Sequence, residues 1–166
     1  MTTIYTLPKL KSLRQGARIA FIRQYRQMTL QVFGEKIGMS RKNARTMMTR
    51  YEINDRDIKP DRLKKMAQVL NVNIHMIERW NFRDPEQLFY ALLWIDELCP
   101  NIVIRNCLKG ATKNATTEAL NKKYDEWRDM RKKYLRKYIT YRKYLDWKLG
   151  SYTEPEEKQN GKKRYD

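Results

Sequence analysis

Within ten consecutive residues the chain places Arg41, Lys42, Asn43, Arg45, Thr46, Thr49 and Arg50. Side chains of these types suit nucleic acid. Arg pairs with guanine through two parallel hydrogen bonds, Asn does the same with adenine, and Lys or Arg neutralises phosphate. The surrounding charge agrees: between Lys9 and Arg50 lie eleven basic residues and one acid, Glu35. A run so one-sided marks a face turned to a polyanion, because a merely solvated helix face interleaves both signs to gain i,i+4 pairing. Over 166 residues, 36 Lys and Arg stand against 19 Asp and Glu, a formal charge of +17, which costs self-repulsion unless a polyanion offsets it. The excess sits at the front, with 18 basic and 6 acidic residues (net +12) in residues 1–83 and 18 and 13 (net +5) in residues 84–166.

Other chemistries lack the residues to carry them. The single histidine, His75, has no second histidine to share a metal, and Cys99 and Cys107 stand without partners at zinc-finger spacing. No glycine-rich phosphate loop, dinucleotide fingerprint or nucleophile elbow occurs. Neither enzyme activity nor a metal or cofactor is expected. The opening MTTIYTLPKLKSLRQG has no secretory apolar core, and no apolar run approaches the roughly 20 residues needed to span a bilayer. The two cysteines are accordingly expected as reduced thiols and a membrane is not an expected partner.

The basic residues need elements to hold them, and the expected fold is mainly all-α. From Gly16, Ala17, Ile19, Ala20, Phe21, Ile22 and Tyr25 recur at helical spacing, leaving Arg18, Arg23, Gln24 and Arg26 to face outward. Thr29 is placed to N-cap a second helix whose Leu30, Phe33, Gly34 and Ile37 share one face. Gly34 costs about 1 kcal/mol of helix propensity against Ala, so its place on that face predicts close approach of a neighbouring helix. Gly38-Met39-Ser40 offers a left-handed helix end, an apolar plug and a capping serine. A third helix is predicted over 41–52, with Met47, Met48 and Tyr51 inward and the basic and polar residues outward. Pro60 opens a fourth helix carrying Leu63, Met66, Ala67 and Leu70, and residues 74–80 read as a short fifth.

Over about residues 12–77 this pattern resembles the lambda-repressor and Cro type helix-turn-helix domains, the XRE family. The carriers are GARI…IR, MTLQVFGEKIGMS, Tyr51-Glu52 and IKPDRLKKMAQVLNVN. Thr29, Phe33, Gly34, Gly38, Met39 and Ser40 match a family pattern that usually reads T-x-x-x-L-A-x-x-x-G-V-S. The resemblance implies a five-helix domain over 12–82 in which the helix after the turn enters the major groove, while the start of the preceding helix holds phosphates. It therefore assigns DNA contact to Thr29, Gln31, Ser40, Arg41, Lys42, Asn43, Arg45, Thr46, Thr49 and Arg50. Ser40 to Glu52 is about one helical turn longer than the common form. Base reading can accordingly fall to Arg41 and Lys42, or to Arg45, Thr46 and Thr49 if Ser40–Asn43 form an extended lead-in. Leu30 takes the place where the family often has glutamine, and Gln31 follows it.

Asp84 and Pro85 mark the start of a further helix rich in Leu88, Phe89, Leu92, Leu93, Trp94 and Ile95. So apolar a stretch must be buried, either on the preceding domain or on a second copy of the chain. NIVIRNCL (101–108) reads as a short strand or hairpin. Residues 118–149 return to helical spacing as an α-hairpin, with Thr140 capping its second arm. This half resembles a tail that follows XRE domains in regulators of Firmicute bacteria and their mobile elements, reading like E-W-x-x-M-R-x-x-Y-x-x-x-x-I-T-x-x-x-Y-x-D-W-K-L. The expected division is thus a DNA-binding domain at 12–82, a helical dimerisation domain at 84–149 and a disordered tail at 150–166. Leu88, Leu92, Ile95, Trp127, Tyr134, Tyr144 and Trp147 are the expected dimer contacts, since shared burial between identical chains is the commonest outlet for surplus apolar surface.

These readings converge on a sequence-specific, dimeric, duplex-DNA-binding transcriptional regulator, in type a repressor, located in the cytoplasm with the nucleoid. A second expectation is a phage or mobile-element inhibitor or adaptor of anti-CRISPR type that binds a host protein. Such an inhibitor, acting by imitating DNA, would be acidic rather than strongly basic. A third is a single-strand or RNA binder using the alternating aromatic and basic residues of YDEWRDMRKKYLRKYITYRKY.

Overall fold

The structure, a computed structural model, describes residues 7–99 and 115–150. Among these the chain is mainly helical, with no strand. The helices are α1 (Gln15–Tyr25), α2 (Leu30–Lys36), α3 (Arg41–Glu52), α4 (Pro60–Leu70), α5 (Pro85–Leu98), α6 (Ala115–Leu135) and α7 (Tyr141–Leu149), with a single 3-10 turn at Ile74–Met76. The strand or hairpin expected at 101–108 lies outside the described residues, as does the expected tail apart from Gly150.

Local chemistry sets the helix ends. Thr29 Oγ1 accepts the Val32 N–H at 3.1 Å, Asp84 Oδ1 accepts the Glu86 N–H at 2.9 Å with Pro85 at the first helical position, and Thr140 Oγ1 accepts the Lys143 N–H at 3.2 Å. Each side chain satisfies an N–H that a helix start leaves without an internal partner. Gly38, at φ +87°, turns the chain from α2 into α3 through a conformation costly for any residue with a Cβ. The helix expected over 74–80 is instead one 3-10 turn. Asn73 Oδ1 takes the His75 N–H at 2.9 Å, and the Trp80 indole N–H returns to His75 O at 3.0 Å, folding the segment back on itself.

One apolar cluster runs through the whole described chain. Ile19, Phe21, Ile22, Phe33, Met48 and Leu70 join Leu93, Trp94, Trp127, Tyr144 and Leu149 in it. The apolar run of α5 is thus buried on the preceding helices: Trp94 meets Phe21 edge-on at 5.5 Å and donates its indole N–H to Met76 O at 2.9 Å. α7 closes on the same side, with the Asn73 N–H donating to Leu149 O at 3.0 Å and Arg26 pairing with Asp146 at 3.0 Å. Segments 12–82 and 84–149 therefore share a core.

Two residues expected to face outward from α1 do not. Arg18 is 1 % exposed. Its guanidinium donates to Met76 O and Glu78 O, each at 2.6 Å, and to Leu13 O at 3.1 Å, while the group lies 3.6 Å from the Trp80 ring centroid. Burial pushes its pKa down to about 9, so it remains a cation at neutral pH. Arg23 is likewise buried and forks onto Glu52 with Nε–Oε1 at 2.6 Å and Nη2–Oε2 at 3.0 Å, while Nη1 donates to Met28 O at 2.6 Å. Guanidinium has five donors in a fixed plane, so a ring of carbonyls or one carboxylate can satisfy it where helical spacing predicts only a charge in water.

Candidate nucleic-acid interface

α2 and α3 meet closely because Gly34 has no side chain: a Cβ there would stand 2.8 Å from Ala44 Cβ and 3.0 Å from Ala44 Cα. The helix-propensity cost of Gly34 is thus offset by close packing of the two helices. Gln31 strengthens the joint by donating its amide N–H to Glu35 Oε1 at 2.5 Å and to Arg41 O at 2.8 Å. Its amide nitrogen is therefore engaged within the protein rather than aimed outward. Thr29 differs: its Oγ1 accepts the Val32 N–H as the cap of α2, which leaves the hydroxyl proton of this exposed residue to donate outward.

α3 begins at Arg41, directly after Ser40 in extended conformation (φ −64°, ψ 144°), so Ser40–Asn43 form no extended lead-in. At 100° per residue, Lys42, Arg45, Thr46 and Thr49 follow i, i+3, i+4, i+7 spacing and fall in one stripe. All four are exposed. Ala44, Met48 and Tyr51 take the opposite face and are buried, whereas Met47, expected inward, is only half-buried. Arg41, Asn43 and Arg50 flank the stripe and are exposed too. The Arg41 side chain is 92 % exposed and 3.9 Å from Glu35; Arg50 lies 3.7 Å from Asp55. These separations leave both guanidinium groups largely in water, where an ion pair contributes little. The Thr49 hydroxyl bonds Arg45 O at 3.0 Å. Ser40 is exposed and its hydroxyl makes no capping hydrogen bond. The structure thus gathers Ser40 and the six basic or polar residues of 41–49 on the solvent side of one helix, with Arg50 at its far end.

The residues expected at a dimer contact divide differently. Trp127 and Tyr144 are buried inside the chain, where the Trp127 indole N–H donates to Tyr144 OH at 2.9 Å. That burial removes both from the surface open to a second copy. Tyr134 and Trp147, half-buried, each lie nearly parallel to the Tyr144 ring, with centroids at 5.0 and 6.4 Å. Leu88 is exposed, Leu92 and Ile95 half-buried; at i, i+4 and i+7 they form the outer stripe of α5.

Sequence reasoning missed the group that organises the C-terminal half. Asp96, buried near the end of α5, receives Arg131 Nε at 2.9 Å, the Tyr144 hydroxyl at 2.8 Å and Lys148 Nζ at 3.2 Å. Lys148, 3 % exposed, also reaches Glu97 Oε2 at 2.7 Å, and the Tyr141 hydroxyl donates to Glu97. Burial, helped by the Asp96 carboxylate, pushes the Tyr144 hydroxyl well above its ordinary pKa, and burial with Glu97 does the same for Tyr141. The Trp, Arg, Tyr and Lys positions of the tail pattern are accordingly packing and hydrogen-bonding residues. The available signal was two adjacent acids, Asp96 and Glu97, ending an apolar run.

Among the described residues no helix is long and apolar enough to cross a membrane. Comparison of the chain with protein-family models, curated proteins and solved structures finds no match.

Proposed function

We propose that the protein is a sequence-specific duplex-DNA-binding regulator of transcription, in type a repressor, with α3 as the element that enters the major groove. One observation carries this reading: Lys42, Arg45, Thr46 and Thr49 form a solvent-facing stripe on a helix whose other face is locked to α2 and the core. A rigid helix about 10–12 Å across matches the major groove, which is about 12 Å wide. In this reading Arg45 and Lys42 take guanine edges, Thr46 contacts a thymine methyl or phosphate, Thr49, whose hydroxyl donates to Arg45 O, offers its methyl to thymine, and Asn43, Arg41 and Arg50 meet the walls of the groove. Ser40 lies where the turn comes nearest the backbone. Gln31 acts indirectly, fixing the angle at which α3 leaves the protein, while Thr29, at the start of α2, keeps a hydroxyl proton to donate to a phosphate.

One such unit covers a half-site, and specific sites are usually read by two units about 34 Å apart. The second copy pairs through the Leu88, Leu92 and Ile95 stripe of α5, a self-complementary arrangement of the two-fold kind. Selection of bound duplexes from a random pool, followed by a salt series on the winner, tests the proposal. A selected consensus with a log–log slope steeper than about −3, at about −0.9 per phosphate neutralised, supports it. A pool that never converges, with binding instead to a host nuclease complex assayed in parallel, would transfer support to the adaptor reading.

A further inference from the structure

The tip where α6 meets α7 is one-sided in charge. Between Asp129 and Asp146 the chain has seven basic residues and no acidic one. Arg131 is turned inward onto Asp96. Lys132, Lys133, Arg136, Lys137, Arg142 and Lys143 are all exposed, and no ion pair joins any of them to an acid among the described residues. A face that served only solubility would interleave acids, as the first part of α6 does with Glu118, Asp125, Glu126 and Asp129.

The tip is also held in shape. Lys137 takes φ +61°, the Lys137 and Tyr138 N–H groups return to Tyr134 O and Lys133 O at 2.9 Å each, and Thr140 caps α7. At its root Tyr134 stacks on Tyr144 with ring planes 7° apart. The cations are therefore carried by a preorganised turn, which lowers the ordering cost of binding. At the crest Tyr138 is 74 % and Leu135 60 % exposed.

Its position is fixed as well. Tyr25 OH lies 3.4 Å from Arg142 O, and Arg26 pairs with Asp146 at 3.0 Å. The start of α7 thus sits against the end of α1, beside the turn that leads through Thr29 into α2. We propose that the α6–α7 tip is a second DNA-binding surface, gripping the phosphate backbone of the duplex beyond the base pairs covered by α3. The inference rests on the α3 reading for its register along the duplex. The occupant is duplex DNA because six exposed cations, without a paired acid among the described residues, complement a phosphate backbone, and the tip is anchored beside the turn that leads into α2 and the α3 unit.

The test uses the full chain with Arg136→Gln/Lys137→Gln, two exposed changes expected to leave the thermal midpoint unaltered. Affinity is measured across a salt series on a duplex of about 10 base pairs centred on the α3 contact and on one of about 30. On the long duplex the variant should bind about tenfold or more weakly at 0.1 M salt, its log–log slope shallower by about 1.8 for two lost phosphate contacts. On the short duplex it should match the unaltered protein. Equal affinities on the long duplex overturn the proposal, as does an equal loss on both duplexes, which would place the tip within the α3 footprint. A greater loss on single-stranded RNA than on the long duplex overturns it in favour of an RNA surface. Arg45→Ala serves as the separate control: if it binds the selected duplex unchanged while the tip variant weakens, the α3 reading fails and the tip stands as the principal DNA surface.

Discussion

Asp96→Ala should remove about 3 kcal/mol of the protein's stability. The carboxylate is buried and receives three partners, from Arg131, Tyr144 and Lys148. Its removal leaves the buried Lys148 ammonium with Glu97 as its remaining carboxylate and takes the acceptor from the Tyr144 hydroxyl. Breaking a buried ion pair by deleting one member costs about 3–5 kcal/mol, because the other charge stays buried; the surviving Glu97 contact favours the low end. Against a total stability of about 5–15 kcal/mol, a loss of about 3 kcal/mol is large. With a slope of about 2 kcal/mol per molar urea, the midpoint falls by about 1.5 M. Urea titration followed by tryptophan fluorescence reads this directly, since Trp127 bonds Tyr144 beside the network. Lys148→Met in the same background supplies the cycle. Asp96→Ala should cost at least about 1 kcal/mol less once Lys148 is gone, as expected for coupled neighbours. Strictly additive costs, or a single-variant loss below about 0.5 kcal/mol, would refute the view that this network ties α5, α6 and α7 together.

Other perturbations bear on the rest of the fold. Gly34→Ala gains about 1 kcal/mol of helix propensity but forces a Cβ against Ala44, and overpacking of about 1–3 kcal/mol should prevail; a raised thermal midpoint would contradict the close approach of α2 and α3. A chain ending after Phe82 strips Trp94 from Phe21 and Met76 and should give broad, weakly cooperative unfolding, whereas a sharp transition would mean that the two segments fold separately. His75 stands 2.5 Å from Glu78, whose carboxylate, opposed by burial, raises the imidazole pKa above 6.5. The folded state then binds the proton more tightly than the unfolded one, so this contribution is complete below pH 6.5 and is lost as pH rises through the raised value. His75→Phe should flatten stability between about pH 6 and 8, and an imidazole titrating at or below 6.5 by NMR would oppose the assignment.

The helices were legible where local chemistry and apolar spacing agree. Thr29, Asp84, Pro85 and Thr140 announce their helix starts because each satisfies an orphan donor or fits a first turn within a few residues of itself. Gly34 was legible for the opposite reason, since a helix tolerates glycine on a buried face only where packing repays it. What spacing cannot show is where a long charged side chain ends. Arg18 and Arg23 occupy positions that helical spacing leaves outside the apolar face, yet both are buried, and their acceptors at Met76, Glu78 and Glu52 lie far away in the chain. Aromatic stripes carry a similar ambiguity. Trp127 and Tyr144 suit a dimer seam as well as an internal core, and Asp96, which decides between them, belongs to another helix. The α3 face was visible in composition, whereas its register was not: only the helix start at Arg41 aligns Lys42 with Arg45, Thr46 and Thr49.

Base-pair discrimination by Arg45→Ala on the selected duplex tests the central claim most directly. The measurement is affinity for the consensus and for each single-base variant of it, at one salt concentration, for the unaltered protein and the substituted one. If α3 reads the major groove, the substitution should remove about 1–3 kcal/mol of discrimination at one base pair and leave the others intact. A uniform loss of affinity across every duplex, with discrimination unchanged at all positions, would show that Arg45 meets only phosphate and contradict the assignment of α3 as the reading helix.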